Sequence, residues 1–155
     1  MEDSVSIQIR AARQADAPRL AELTGVLGYP AASDVFTVRL GRVLAQPDEE
    51  VFVAETTAGE IVGWIHAAEH ALLEVEPRCE ILGLVVDQAH RQLGIGRQLI
   101  AAAEDWARRR GLGEMSVRSN VVRPESHPFY ERLGYVRVKT QHAYRKGLSG
   151  PAEKP

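Results

Sequence analysis

A mixed α/β (α+β) fold, one central sheet of about seven strands with four helices on its faces, is what this sequence predicts, and three observations lead there. Alternating or β-rich runs recur at residues 4–11, 50–57, 60–68, 114–119, 135–139 and 142–146. A nearly unbroken apolar run over residues 81–86 reads as a strand buried on both faces. Helical spacing of apolar residues separates these runs, most clearly at Ile95, Leu99, Ala103 and Trp106. The resulting order, β-α-α-β-β-β-α-β-α-β-β, places helices against a sheet.

Each element has a local cause. Val5, Ile7 and Ile9 alternate in the first strand. Asp16 is expected to N-cap a helix that tolerates Pro18 in its first turn and carries Leu20, Leu23 and Leu27 inward, with Gly25, Gly28 and Pro30 loosening or ending it. Ser33 is expected to cap a second helix through Phe36, Val38, Leu40 and Leu44, stopping near Pro47. Ala58 and Gly59 signal a hairpin between two strands. A loop around residues 74–77 leads to the strand that begins at Glu80. Gly111 stops the long helix, Ser126 caps a short one with Pro128 in its first turn, and Gly134 ends that.

With 155 residues and 45% apolar content, the chain supports one core, and residues 1–148 are read as a single domain with a disordered tail at 149–155. A formal charge of -2 disfavours a nucleic-acid partner. No apolar run is long enough to span a membrane, and the acidic, alternating start lacks the pattern of a leader, so a soluble, cytoplasmic protein is expected. Cys79 is the only cysteine; that excludes an internal disulfide and a thiolate metal cluster, and a small core residue is the simpler role. His66 and His70 lie about 13 Å apart on a strand, so no metal site is expected there.

The junction of the 81–86 strand and the long helix carries the chemistry. Between them lie Arg91, Gln92, Leu93, Gly94, Ile95 and Gly96. Glycine lets the backbone approach a ligand closely, the first helical amides have no intrahelical partner, and the helix dipole adds roughly half a positive charge. Arg91 and Arg97 add full charges, making a phosphate site. A dinucleotide G-x-G-x-x-G fails because residue 99 is Leu, and no Gly-Lys-Ser/Thr ending marks a triphosphate loop.

The segment LVVDQAHRQLGIG resembles the L-x-V-x-P-x-x-R-G-x-G-x-G motif of the GNAT superfamily of N-acetyltransferases, and SHPFYERLGY resembles its A-x-x-F-Y-x-x-x-G-F/Y motif. The two occur in the family's order, about thirty residues apart. The resemblance implies a GNAT-type, mostly antiparallel sheet and acetyl-CoA as co-substrate, its pyrophosphate carried by the R-x-x-G-x-G loop. It implies that Leu84 offers a strand amide to the oxyanion, at a bulge that leaves the backbone of Leu84, Val85 and Val86 free for pantetheine, with Gly83 favouring the bulge. It aligns Tyr130 with a tyrosine that protonates the departing thiolate and that also borders the cofactor. A core aromatic is the alternative role for Tyr130, but Phe129 already supplies the apolar anchor, which favours the acid. Glu80 aligns with a strand carboxylate that serves as base in one branch; a salt-bridged surface carboxylate and an acceptor-binding charge are the alternatives, with Glu69, Glu74 and Glu76 as substitutes. Asn120 aligns with an asparagine near the pantetheine arm, or is an ordinary turn residue. The loop at residues 25–33 would select the acceptor.

Three departures from the family pattern stand out: Gln88 for a proline, Gln92 for a glycine, and Pro128 near Tyr130. Gln92 matters if the turn requires positive φ. His127 reads as a helix-start surface residue or one facing the site, and the run Arg108, Arg109, Arg110 as a solvated helix cap.

Baring an alkylamine of pKa about 10.4 at pH 7 requires about 4.6 kcal/mol, so proton removal is worth organising. Together these readings give an N-acetyltransferase moving acetyl from acetyl-CoA to a small-molecule primary amine by direct transfer, no activated cysteine being available. Protein amines as acceptors, a non-catalytic acyl-CoA sensor, and, more distantly, a nucleotide-binding domain are the competing readings. A homodimer through the closing strands is one assembly open to such a chain.

Overall fold

The computed structural model describes residues 6–26, 28, 30–118 and 126–149. The chain divides into two compact units, residues 1–118 and 119–155. The first holds a five-stranded sheet in the order β1-β2-β3-β4-β5, from β1 (Ile7–Ala11), β2 (Glu49–Thr56), β3 (Ile61–Leu72), β4 (Val75–Val86) and β5 (Met115–Val117). Strands β1 to β4 form an antiparallel meander, and β5 joins β4 in parallel. Helices α1 (Ala17–Val26) and α2 (Ser33–Leu44) lie between β1 and β2 in sequence, and α3 (Ile95–Arg109) is the crossover from β4 to β5. In the second unit α4 spans Ser126–Arg132.

Cross-strand register assigns the faces. Val51 opposes His66 and Val53 opposes Trp64, so these residues share one face; Leu20, Leu23 and Leu40 of α1 and α2 pack there with Val51, Val53 and Val85. Helix α3 covers the other face through Ile95, Leu99 and Ala103. It can approach because residue 63 is glycine: a Cβ there would sit 3.0 Å from the Val85 carbonyl oxygen and 3.2 Å from Leu99 Cδ1. At its C-terminus Gly111 takes φ +78, and the Leu112 amide reaches the Ala107 carbonyl, a Schellman closure.

The pattern-based elements hold with instructive differences. Asp16 closes a short 3-10 turn (Gln14–Asp16) ahead of α1 and does not cap the helix, because its carboxylate is taken by Arg10 and by the Arg13 amide. Ala32 is the residue ahead of α2, and Ser33 is already helical. The loop expected at residues 74–77 is strand from Val75, since β3 and β4 form one long hairpin turning at Leu73 and Glu74. Pro77 is accommodated because pairing to β5 starts only at Cys79. Segment 81–86 is not buried on both faces: Ile81 and Val85 are buried, and Leu82 is exposed.

Among the described residues the sheet has five strands, not about seven. Residues 135–139 and 142–146 have no ladder partner, and Val136, Val138 and Tyr144 are exposed. Alternation marks residues that could share a face, but a strand exists only where an edge pairs with it. Leu27 and the tail from residue 150 lie outside the described residues. Among those described, no helix is long and apolar enough to cross a membrane.

Candidate active site

Strand β4 leaves its neighbour partway along. Its pairing with β5 covers only Cys79, Glu80 and Ile81. On its other edge His66 opposes Gly83 while Ala67 opposes Ile81, which makes Leu82 the extra residue of a bulge. The expected bulge is therefore present two residues before Leu84. Beyond it Leu84, Val85 and Val86 pair with Ile65, Trp64 and Gly63 of β3, and their other edge carries no strand among the described residues. Gly83 has a second cause invisible in sequence: a Cβ there would meet the Trp64 ring at 2.9 Å.

The strand runs on into the anion loop. Asp87 anchors its start: its amide donates to the Val62 carbonyl, His90 Nδ1 lies 3.0 Å from its carboxylate, and Arg19 approaches within 3.7 Å. A short 3-10 turn (Gln88–His90) follows. Gln92 then takes φ +66 and Gly94 φ +81. The turn thus does require positive φ where the family has glycine, and Gln92 bears a strain of about 1 kcal/mol. Within α3 the Gln98 amide is bonded to the Gly94 carbonyl, so the amides of Ile95, Gly96 and Arg97 precede any intrahelical acceptor. Arg91, Gln92, Leu93 and Arg97 are exposed around them, while the Ile95 side chain is buried and fixes the loop to the core. This arrangement fits a pyrophosphate: amides ahead of any intrahelical acceptor, a helix N-terminus and two guanidinium groups with no carboxylate partner among the described residues.

The face of the sheet under α1 and α2 carries a polar stripe that sequence reading did not find. Glu80 is buried, with His70 Nδ1 at 3.0 Å and Ser116 Oγ at 3.3 Å from its Oε1. A carboxylate accepts, so both groups donate. Farther along, His66 Nε2 lies 2.7 Å from Glu49 Oε1. His66 also borders a cavity of about 170 Å³ lined in part by Phe36, Arg39, Leu40, Val51 and Trp64. The buried Trp64 Nε1 has no hydrogen-bond partner among the described residues. The advance signs of this stripe were Glu80 itself and the four-residue spacing of His66 and His70, which puts both on one strand face. Each histidine has its own carboxylate, and no metal-binding cluster of three such groups occurs among the described residues.

Glu69 is bound by Arg110, which also stacks on Trp106 at 5.0 Å and donates to the Pro47 carbonyl; Arg110 is thus a clamp from α3 to the sheet and not only a solvated cap. Glu74 and Glu76 are exposed at the hairpin end. Cys79 is fully buried, and burial pushes its thiol up to about 11, which removes it as a nucleophile near neutral pH.

In the second unit α4 presents Tyr130, whose ring meets Phe129 edge-on at 5.1 Å and Tyr135 at 5.9 Å. Burial pushes its phenol above the ordinary range, which keeps the proton on at neutral pH and makes its transfer more uphill than for a free phenol. Gly134 takes φ +91 where the helix ends, as expected. Asn120 lies outside the described residues.

The fold superposes on that of an aminoglycoside N-acetyltransferase, AAC(6')-Iy, solved in complex with CoA, with a TM-score of 0.84 over 96% of this chain and 99% of that one at 22% identity. An aminoglycoside N(6')-acetyltransferase type 1 of Stenotrophomonas maltophilia is 30% identical over 93% of this chain and 95% of its own length. A streptothricin acetyltransferase of Streptomyces lavendulae is 32% identical over 68% of this chain. The chain spans about half the length of some curated relatives it matches, 45% of one and 54% of the Streptomyces enzyme. The model of the acetyltransferase (GNAT) family matches residues 14–135, and the chain belongs to that family.

Proposed function

We propose that this protein transfers the acetyl group of acetyl-CoA to a primary amine of a small molecule, directly and without an acyl-enzyme. The observation that carries the reading is the departure of β4 from β5 after Ile81, followed without interruption by the loop with positive φ at Gln92 and Gly94. A free strand edge suits pantetheine, which is an extended amide chain, and the loop suits its pyrophosphate. The likeness to enzymes named for aminoglycosides and streptothricin favours a small polyamine-like acceptor over protein amines.

In the reaction the amine lone pair attacks the thioester carbonyl carbon. We assign the Leu84 amide to the developing oxyanion, the backbone of Leu84, Val85 and Val86 to pantetheine, and Arg91, Gln92, Leu93, Gly94, Ile95, Gly96 and Arg97 to the pyrophosphate. As the C–S bond breaks, Tyr130 supplies the proton for the thiolate, and Asn120 is kept as a pantetheine contact. Glu80 already receives two donors on one oxygen, and we give it the task of attracting the acceptor ammonium. The buried, neutral Cys79 agrees with direct transfer. The reading takes residues 1–148 as one acetyltransferase domain in the cytoplasm, alone or as a homodimer.

The test is release of the CoA thiol against polyamines, amino acids, aminoglycosides and lysine peptides, with acetyl-CoA binding measured in parallel. Turnover on a small amine is expected, and Tyr130→Phe is expected to bind acetyl-CoA normally while losing about ten-fold in kcat. Binding without turnover on any amine would leave an acyl-CoA-binding module; absence of binding would overturn the assignment of the loop.

A further inference from the structure

We propose that His66, held by Glu49, is the base that takes the proton from the acceptor ammonium, with the α2-side cavity receiving the acceptor's apolar part. This rests on the acetyl-transfer reading above. The register places His66 opposite Gly83, next to Leu84 and past the bulge, where β4 is already free of β5. Glu80 instead pairs with Ala68 on the far side of the bulge and is still bonded to β5 through Ile81 and Cys79. Of the two histidine–carboxylate pairs on β3, the one at His66 is therefore the one beside the free segment.

The hydrogen bond sets the tautomer. A carboxylate only accepts, so His66 Nε2 carries the hydrogen toward Glu49 and Nδ1 keeps its lone pair. The ammonium N–H bond breaks, its proton goes to Nδ1, and the freed nitrogen pair forms the N–C bond; the imidazolium returns that proton to solvent, and the second N–H proton, shed as the C–S bond breaks and the thiolate takes the Tyr130 proton, passes to solvent and is made up at Tyr130. Glu49 stabilises the transient positive ring and is a positioning residue. Charged groups on this side of the sheet are Glu49 of β2 and Arg39 of α2 beside His66, His70 with Glu80 and Arg78 farther along β3 and β4, and Arg10 with Asp16 and Glu55 at the β1 corner. The cavity bordered by His66 adds apolar walls from Phe36, Leu40, Val51 and Trp64, which fit the carbon body of an amine.

The experiment compares the full-length protein with His66→Gln, Glu49→Gln and Glu80→Gln by thiol release across a pH series, using an alkylamine and the weakly basic hydrazine as acceptors. For His66→Gln the expected result is a kcat lowered about 100-fold with the alkylamine, unchanged acetyl-CoA binding, loss of the acid-side fall in kcat/KM, and a deficit at least ten times smaller with hydrazine, whose conjugate acid gives up its proton far more readily. Glu49→Gln is expected to lower kcat about ten-fold with KM little changed and the acid-side fall retained. An unchanged His66→Gln protein, a deficit equal on both acceptors, or the hydrazine-dependent deficit appearing in Glu80→Gln would each overturn the assignment while leaving acetyl transfer standing. A protein that turns over no amine would remove both.

Discussion

Two buried carboxylates divide the molecule. Asp16, at the β1 corner, receives both terminal nitrogens of Arg10 at 2.9 and 3.0 Å and the Arg13 amide at 2.7 Å, and Arg10 also reaches Glu55. Glu80, on β4, is as deeply buried but has only an imidazole and a hydroxyl. Burial opposes the charge on Asp16, yet the hydrogen bonds from Arg10 and Arg13 outweigh it and hold the carboxyl below its ordinary range. The first arrangement is a closed ion network that serves stability. The second joins its carboxylate to one partly exposed imidazole, His70, in a stripe that His66 continues beside the free segment of β4, which is where proton chemistry can reach solvent and substrate. Burial alone does not mark a functional acid; the partners do.

The largest expected effect breaks the closed corner. Arg10→Met strands Asp16 without its cation and should lower the unfolding free energy by about 3 kcal/mol in urea titration, with activity per folded molecule unchanged. Because the folded-state value of Asp16 is depressed, its contribution is full above the unfolded carboxylate range and is lost as pH falls through the folded value. The wild type should thus lose stability in acid, and the variant should lose less over the same window.

On the open side, Gly83→Ala drives a methyl group into the Trp64 ring and is expected to cost about 1–3 kcal/mol. It should also change tryptophan fluorescence and lower kcat, because Trp64 borders the cavity. An unchanged spectrum would show that the indole has another place to go. Glu80→Gln sharpens the comparison: with no full cation to abandon, it should alter stability by about 1 kcal/mol or less, well short of the Arg10 variant. The smallest effect belongs to Gln92→Gly, which relieves the positive φ and should raise stability by about 0.5 kcal/mol after the entropy cost of glycine, with acetyl-CoA affinity retained.

Much of this was legible before the structure. The strand–loop–helix junction was readable because its parts are contiguous: an apolar run, then glycines, then a helical period. Gly59, Gly111 and Gly134 were readable as stops for the same reason, and all take positive φ. The failures were pairings. Asp16 looked like a cap because cap preference is local, whereas the partner that claimed it, Arg10, is on a neighbouring strand. The closing strands looked sound by alternation, which says nothing about an edge to pair with.

The sequence by itself determined the order of elements as far as α4, the amide-lined loop and the family, since these rest on residue types a few positions apart. Only the tertiary structure decided that His66 meets Glu49, that His70 meets Glu80, that Trp64 lies over Gly83, and that Gln92 must take a left-handed turn. The reason is register. A bulge of one residue at Leu82 selects which side chains of β3 and β4 face each other, and that choice is made by packing across the whole sheet.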